Sequence, residues 1–123
     1  MSEVKKILIL EDERPLARAL ELKLVHEGFA VTVAPNGEEG LALLEREPFD
    51  LVLSDLMMPK VDGFAVLKAI KERGLSAPVV VLTNLSQSED ERRARELGAM
   101  DFFVKSDVPV SDIVERVRRI FEN

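Results

Sequence analysis

The chain has 123 residues, 17 basic and 23 acidic side chains for a net charge of −6, and no cysteine. That length suits one domain with a real core, and the missing cysteines exclude disulfides, thiol chemistry and cysteine–zinc sites. The acidic balance argues against direct nucleic-acid or membrane binding by this domain. No apolar run reaches the roughly 18 residues of a membrane span, and no signal-like stretch precedes the first strand, which fits a cytoplasmic protein.

Val4 to Leu10 reads as a buried strand, aliphatic throughout Ile7–Leu10. It stops at Glu11-Asp12-Glu13. Three successive carboxylates suit a helix N-terminus, where the dipole favours acids, or a divalent-cation site; the run alone leaves both open. Pro15 sits just inside the next helix, where a missing N–H costs nothing. Leu16, Leu20 and Leu24 form its core stripe with Ala17, Leu22 falls off that stripe, and Gly28 supplies a left-handed cap. His26, the only histidine, has no second histidine or cysteine nearby and reads as a helix-end contact rather than a ligand. Phe29 to Ala34 alternates as a second strand. Pro35-Asn36-Gly37 then turns into a helix carrying Leu41, Leu43 and Leu44, ended by Pro48.

Leu51, Val52 and Leu53 lack polar alternation, as in a parallel strand covered on both faces. This strand presents Asp55, followed by Leu56-Met57-Met58-Pro59, whose methionine pair reads as loop packing. Asp62 is a helix N-cap, with Val66, Leu67 and Ile70 facing inward and Gly74 at the end. Gly63 either eases the turn or allows close backbone approach. Pro78 to Thr83 is a β-branched strand. Ser88-Glu89-Asp90-Glu91 matches a capping box for a helix closing at Gly98, and Arg92, Arg93 and Arg95 read as its solvated face. Phe102-Phe103-Val104 is a short fifth strand ending at Lys105, and the last helix carries Ile113, Val114, Val117, Ile120 and Phe121. Strands alternating with helices predict a doubly wound α/β sandwich of the flavodoxin-like type: one five-stranded parallel sheet, one domain over residues 1–123, no output domain.

Four strands end in chemically capable residues: Glu11 and Asp12, then Asp55, Thr83 and Lys105. In a parallel sheet these ends share one edge. Packed carboxylates favour a hard cation such as Mg²⁺. A carboxylate can also serve as a nucleophile and form an aspartyl-phosphate. Phosphoryl transfer needs chiefly positioning and charge neutralisation, which an ammonium and a hydroxyl supply.

The segments Ile7-Leu8-Ile9-Leu10-Glu11-Asp12-Glu13, Leu53-Ser54-Asp55-Leu56-Met57-Met58-Pro59, Val80-Val81-Leu82-Thr83 and Phe102-Phe103-Val104-Lys105 resemble the receiver domains of two-component response regulators, and the likeness covers essentially the whole chain. The resemblance implies strand order 2-1-3-4-5. It implies that Asp55 accepts a phosphoryl group from a histidine kinase, a phosphotransfer protein or a small phosphodonor, and slowly loses it again without being an enzyme for external substrates. It further implies Mg²⁺ on Asp12, Asp55 and the backbone carbonyl of Met57, with Glu11 acting largely through water. Thr83 and Lys105 would contact phosphoryl oxygens, and Thr83 with Phe102 would form the switch pair. The fourth helix, fifth strand and fifth helix would present the output surface to a downstream protein.

Three residues depart from the family pattern. Ser106 follows Lys105 in place of a proline, so the bond before it is expected to be trans. Asn84 replaces a small residue and, with Met57, is expected to modulate access to Asp55. Phe102 has no hydroxyl, so switching must rest on packing. The alternative is a pseudo-receiver that docks without phosphate. An aspartate-based hydrolase wants a second carboxylate where Met57 stands, and a nucleotide binder wants a small-residue cradle where Glu11-Asp12-Glu13 would repel an anion. Asp101 and Arg116 could form one cross-subunit ion pair, but Met100 breaks the double acid, so the expectation is a monomer or weak homodimer.

Overall fold

The computed structural model describes residues 3–122. Chain order gives β1 (Lys6–Leu10), α1 (Arg14–His26), β2 (Ala30–Ala34), α2 (Gly37–Arg46), β3 (Leu51–Ser54), α3 (Gly63–Glu72), β4 (Val79–Thr83), α4 (Ser88–Glu96), β5 (Ala99–Val104) and α5 (Val110–Ile120). The sheet is parallel throughout in the order β2-β1-β3-β4-β5. After β1 the chain crosses one way to β2, and from β3 onward it proceeds the other way. The carboxyl ends of β1 and β3 therefore flank the reversal point, where a crevice opens in such sheets. Topology alone thus brings the acids after Leu10 next to Asp55.

Strands without polar alternation bury both faces, each under its own apolar layer. Leu8, Leu10, Val52, Val79 and Val81 pack with residues of α2, α3 and α4. Ile7, Ile9, Leu51, Leu53, Val80 and Leu82 pack with Leu20 and Leu24 of α1 and with Ile113, Val114 and Val117 of α5.

Local signals hold at most element ends. The Asn36 side chain accepts the Glu39 amide at 2.9 Å, and Asp62 accepts that of Ala65 at 2.8 Å. Gly28 takes φ +99°, and Leu22 lies off the core stripe, 53% exposed. Gly63 serves close approach: a Cβ there would overlap the Asp55 carbonyl and Leu56, while its amide bonds the Leu56 carbonyl at 2.9 Å. The peptide bonds of the described residues are trans, including the one before Ser106.

Four expectations need correction. β1 starts at Lys6, leaving Val4 63% exposed, and β2 starts at Ala30 rather than Phe29. The capping box does not form, because Ser88 is already helical and Gln87, at the N-cap, makes no side-chain cap bond. β5 begins earlier, at Ala99, with a bulge: Val79 pairs with Ala99 but Val80 with Asp101, which pushes Met100 outward.

Candidate functional site

β3 delivers Asp55 to the reversal point, where its amide bonds the Leu10 carbonyl at 3.0 Å. Asp55 is 5% exposed and its two side-chain oxygens have different partners. Oδ1 accepts the amides of Leu56 (2.7 Å) and Met57 (3.2 Å), while Oδ2 accepts Lys105 Nζ at 2.8 Å. The loop's own backbone therefore fixes the carboxylate.

Lys105 follows β5, its amide held by the Thr83 carbonyl at 2.8 Å. Its ammonium also bonds Glu11 at 3.0 Å and Glu13 at 2.5 Å. Burial works against this charge, but hydrogen bonds to Asp55, Glu13 and Glu11 outweigh it and hold the Lys105 pKa well above the usual lysine value. For Glu11 burial wins. Its carboxyl is pushed above the ordinary value despite Lys105 and the Glu13 amide.

Glu11, Asp12 and Asp55 offer oxygens that lie within 4.8 Å of one another. Such a hard-oxygen set fits Mg²⁺, with the exposed Asp12 on the solvent side. Thr83 is fully buried, and its hydroxyl accepts the Leu85 amide at 3.3 Å. Phe102 lies on the same sheet face one diagonal step away, since Val81 pairs with Phe102 and Thr83 with Val104. Asn84 lines a groove with Glu13, Lys105 and Ser106. Met57, 59% exposed, lines another with Asp12 and Arg93. The two residues expected to control access thus line different grooves, one bordered by Glu13 and the other by Asp12.

The methionine pair divides: Met58 packs against the apolar cluster and Met57 does not. Asp101 meets Arg116 at 2.6 Å and Arg95 at 3.5 Å within one chain, so the pair expected across subunits is already made internally. Arg93 is more than a solvated charge, because its guanidinium lies 4.0 Å from the Phe64 ring centre. Sequence reading missed Glu13 as a partner of Lys105. Its only signal was membership of the acidic run.

The response regulator receiver domain profile matches residues 7–118. The transcriptional regulatory protein DltR of Streptococcus agalactiae is 36% identical over 113 residues, 92% of this chain and 50% of that protein. The probable transcriptional regulator ycf27 of Porphyridium aerugineum is 39% identical over 116 residues, 94% of this chain and 48% of that protein. The chain thus spans about half the length of the curated relatives it matches. The receiver domain of the Francisella response regulator 1452 superposes with a TM-score of 0.88 at 28% identity, covering 94% of this chain and 95% of that one. A CheY-like receiver domain protein from Methanospirillum hungatei gives 0.87 at 28% identity, covering 96% and 94%. Those relatives are named transcriptional regulators, so the comparisons give no support to the expectation that this domain does not bind nucleic acid directly. Matched along nearly its whole sheet and helices, the chain belongs to the response-regulator receiver family of two-component signalling.

Proposed function

We propose that Asp55 is the phosphoacceptor of this receiver, and that residues 1–123 act as one signalling unit in the cytoplasm. The observation that carries this is the split binding of its carboxylate: two backbone amides on Oδ1 and the Lys105 ammonium on Oδ2. A buried carboxylate so fixed has one orientation toward an incoming phosphorus atom, and a cation stands ready for the charge that arrives. An Asp55 oxygen bonds phosphorus as phosphorus leaves the imidazole nitrogen of a phosphohistidine, or the acyl oxygen of a small donor. The electron pair goes with that leaving group. The donor protein is a histidine kinase or phosphotransfer protein. Later attack by water on phosphorus returns the carboxylate and releases inorganic phosphate, slowly and only for the domain's own phosphate.

Glu11, Asp12, Asp55 and the Met57 carbonyl would hold Mg²⁺, which when bound neutralises phosphoryl charge. Lys105 and the Thr83 hydroxyl take phosphoryl oxygens. For Thr83 this means giving up the Leu85 amide, which loosens the start of the loop into α4. Phe102 then follows by packing alone and changes the α4–β5–α5 surface that a downstream protein reads. Met57 and Asn84 tune access. Internal pairing of Asp101 supports a monomer or weak homodimer.

Intact-mass measurement after acetyl phosphate and Mg²⁺ tests the assignment. The native chain should gain one phosphoryl group, and Asp55→Asn should gain none. A gain that persists in Asp55→Asn moves the acceptor elsewhere. No gain in a folded native chain leaves the phosphate-independent docking module.

A further inference from the structure

An ammonium has three N–H donors. In Lys105 they meet three carboxylates: Asp55 at 2.8 Å, Glu11 at 3.0 Å and Glu13 at 2.5 Å. A phosphoryl group on Asp55 brings new oxygen acceptors to the same ammonium; Asp55 frees the donor it holds, and a second reaches the phosphoryl group only if Glu11 or Glu13 gives one up. Glu11 is badly placed to do so. It is 3% exposed, its carboxylate also accepts the Glu13 amide at 3.0 Å, and its own amide is tied to the Ala34 carbonyl.

Glu13 is held at its amide too, by Glu11, but its side chain is much freer. Its side chain is 52% exposed and borders a groove of about 320 Å³ with Asn84, Ser106 and Val108, which gives it somewhere to go. Its backbone starts α1 through the Glu13 carbonyl, which accepts the Ala17 amide at 3.0 Å. The side chain makes no capping bond, so it can leave without unwinding the helix.

We propose that Glu13 is a positioning residue acting through Lys105: in the resting chain it occupies one ammonium donor, and it yields that donor to the phosphoryl group as Asp55 is modified. The proposal rests on Asp55 being the acceptor. Glu13 keeps Lys105 extended over the acids at rest, and its displacement adds to the barrier of phosphorylation. Removing the contact therefore speeds the reaction.

The test follows phosphorylation by acetyl phosphate with Mg²⁺, read by intact mass, in the native chain, Glu13→Gln and Glu13→Asp. Glutamine keeps the length and loses the charge. Aspartate keeps the charge and loses the reach. Both variants should react about fivefold faster than native, the rate equivalent of one modest ion pair. The gain should survive about 1 M salt, where screening shortens to about 3 Å and long-range repulsion of an anionic donor is suppressed. A Glu13→Asp rate equal to native, or a Glu13→Gln gain that vanishes in salt, reduces Glu13 to its net charge and overturns the proposal. An unchanged Glu13→Gln rate overturns it as well. If the native chain takes up no phosphoryl group, the acceptor assignment fails and this proposal with it, an outcome distinct from equal rates in all three proteins.

Discussion

Two regions of the molecule hold ion pairs of nearly the same length and do different things with them. At the sheet's carboxyl edge, Lys105 meets Asp55 and Glu11 at 2.8 and 2.9 Å, with side chains 9%, 6% and 2% exposed. Along α5, Arg118 meets Glu115 at 2.7 Å and Glu122 at 3.1 Å, but there the side chains are 40–56% exposed. Distance does not separate these clusters; water does. Exposed pairs give back most of their Coulomb gain to solvent and salt, whereas buried charges keep theirs and also carry the cost of dehydration. The first cluster can therefore store a response to one added charge. The second mainly keeps a helix face soluble.

The sharpest way to break this comparison is to remove the ammonium. Lys105→Met leaves the facing carboxylates without their cation and should cost about 3–5 kcal/mol in urea unfolding, as for other broken buried pairs. It should also change the alkaline limb. Lys105 has a raised folded pKa, so its stabilisation is complete below its unfolded value of 10.5 and fades as pH climbs through the higher folded one. The native chain should lose stability there faster than Lys105→Met, and parallel curves would mean the ammonium is not held as described.

A smaller effect of opposite sign tests the dehydration cost. Burial raises the Glu11 pKa, so at neutral pH the folded chain carries a charge it would rather not have. Glu11→Gln should be more stable than native at pH 7. That advantage should shrink as pH falls, because native Glu11 takes up its own proton and recovers the difference in full below the unfolded value of 4.5. An advantage that grows on acidification would reverse the assigned sign.

The contrast also explains what could be read from sequence. Aliphatic runs that stop at acids, a threonine and a lysine gave the sheet and its functional edge, because parallel strands align their ends whatever the side-chain detail. Partner choice among those groups was not legible. Glu11, Asp12 and Glu13 are adjacent in the chain, and only the path of a side chain from β5, 92 positions beyond Glu13, decides which of them meet Lys105. The missed bulge has a similar origin: one extra residue, Met100, breaks the alternation that would have extended β5 back to Ala99. On α4, the Ser88 and Glu91 spacing fits a capping box. The Gln87 carbonyl instead accepts the Asp90 and Glu91 amides, and the Glu91 side chain goes to Arg95. Arg93 over Phe64 is likewise a contact between α4 and α3, which no local pattern announces.

The smallest effect belongs to the exposed side of the comparison. Asp101, 19% exposed, accepts Arg116 at 2.6 Å and lies 3.5 Å from Arg95, so it is more sheltered than the pairs along α5. Arg116→Ala still leaves Arg95 beside Asp101, so the carboxylate is not stranded. The loss in stability should stay within about 0–1 kcal/mol at low ionic strength. Salt of about 1 M should reduce it, because Arg116 is 43% exposed and ions reach its side of the pair. Thermal unfolding at the two salt levels reads this directly. A loss that is larger and indifferent to salt would place Asp101 with Asp55 among the buried charges, and β5 would then link the Asp55 edge to α5 through dehydrated pairs rather than through packing.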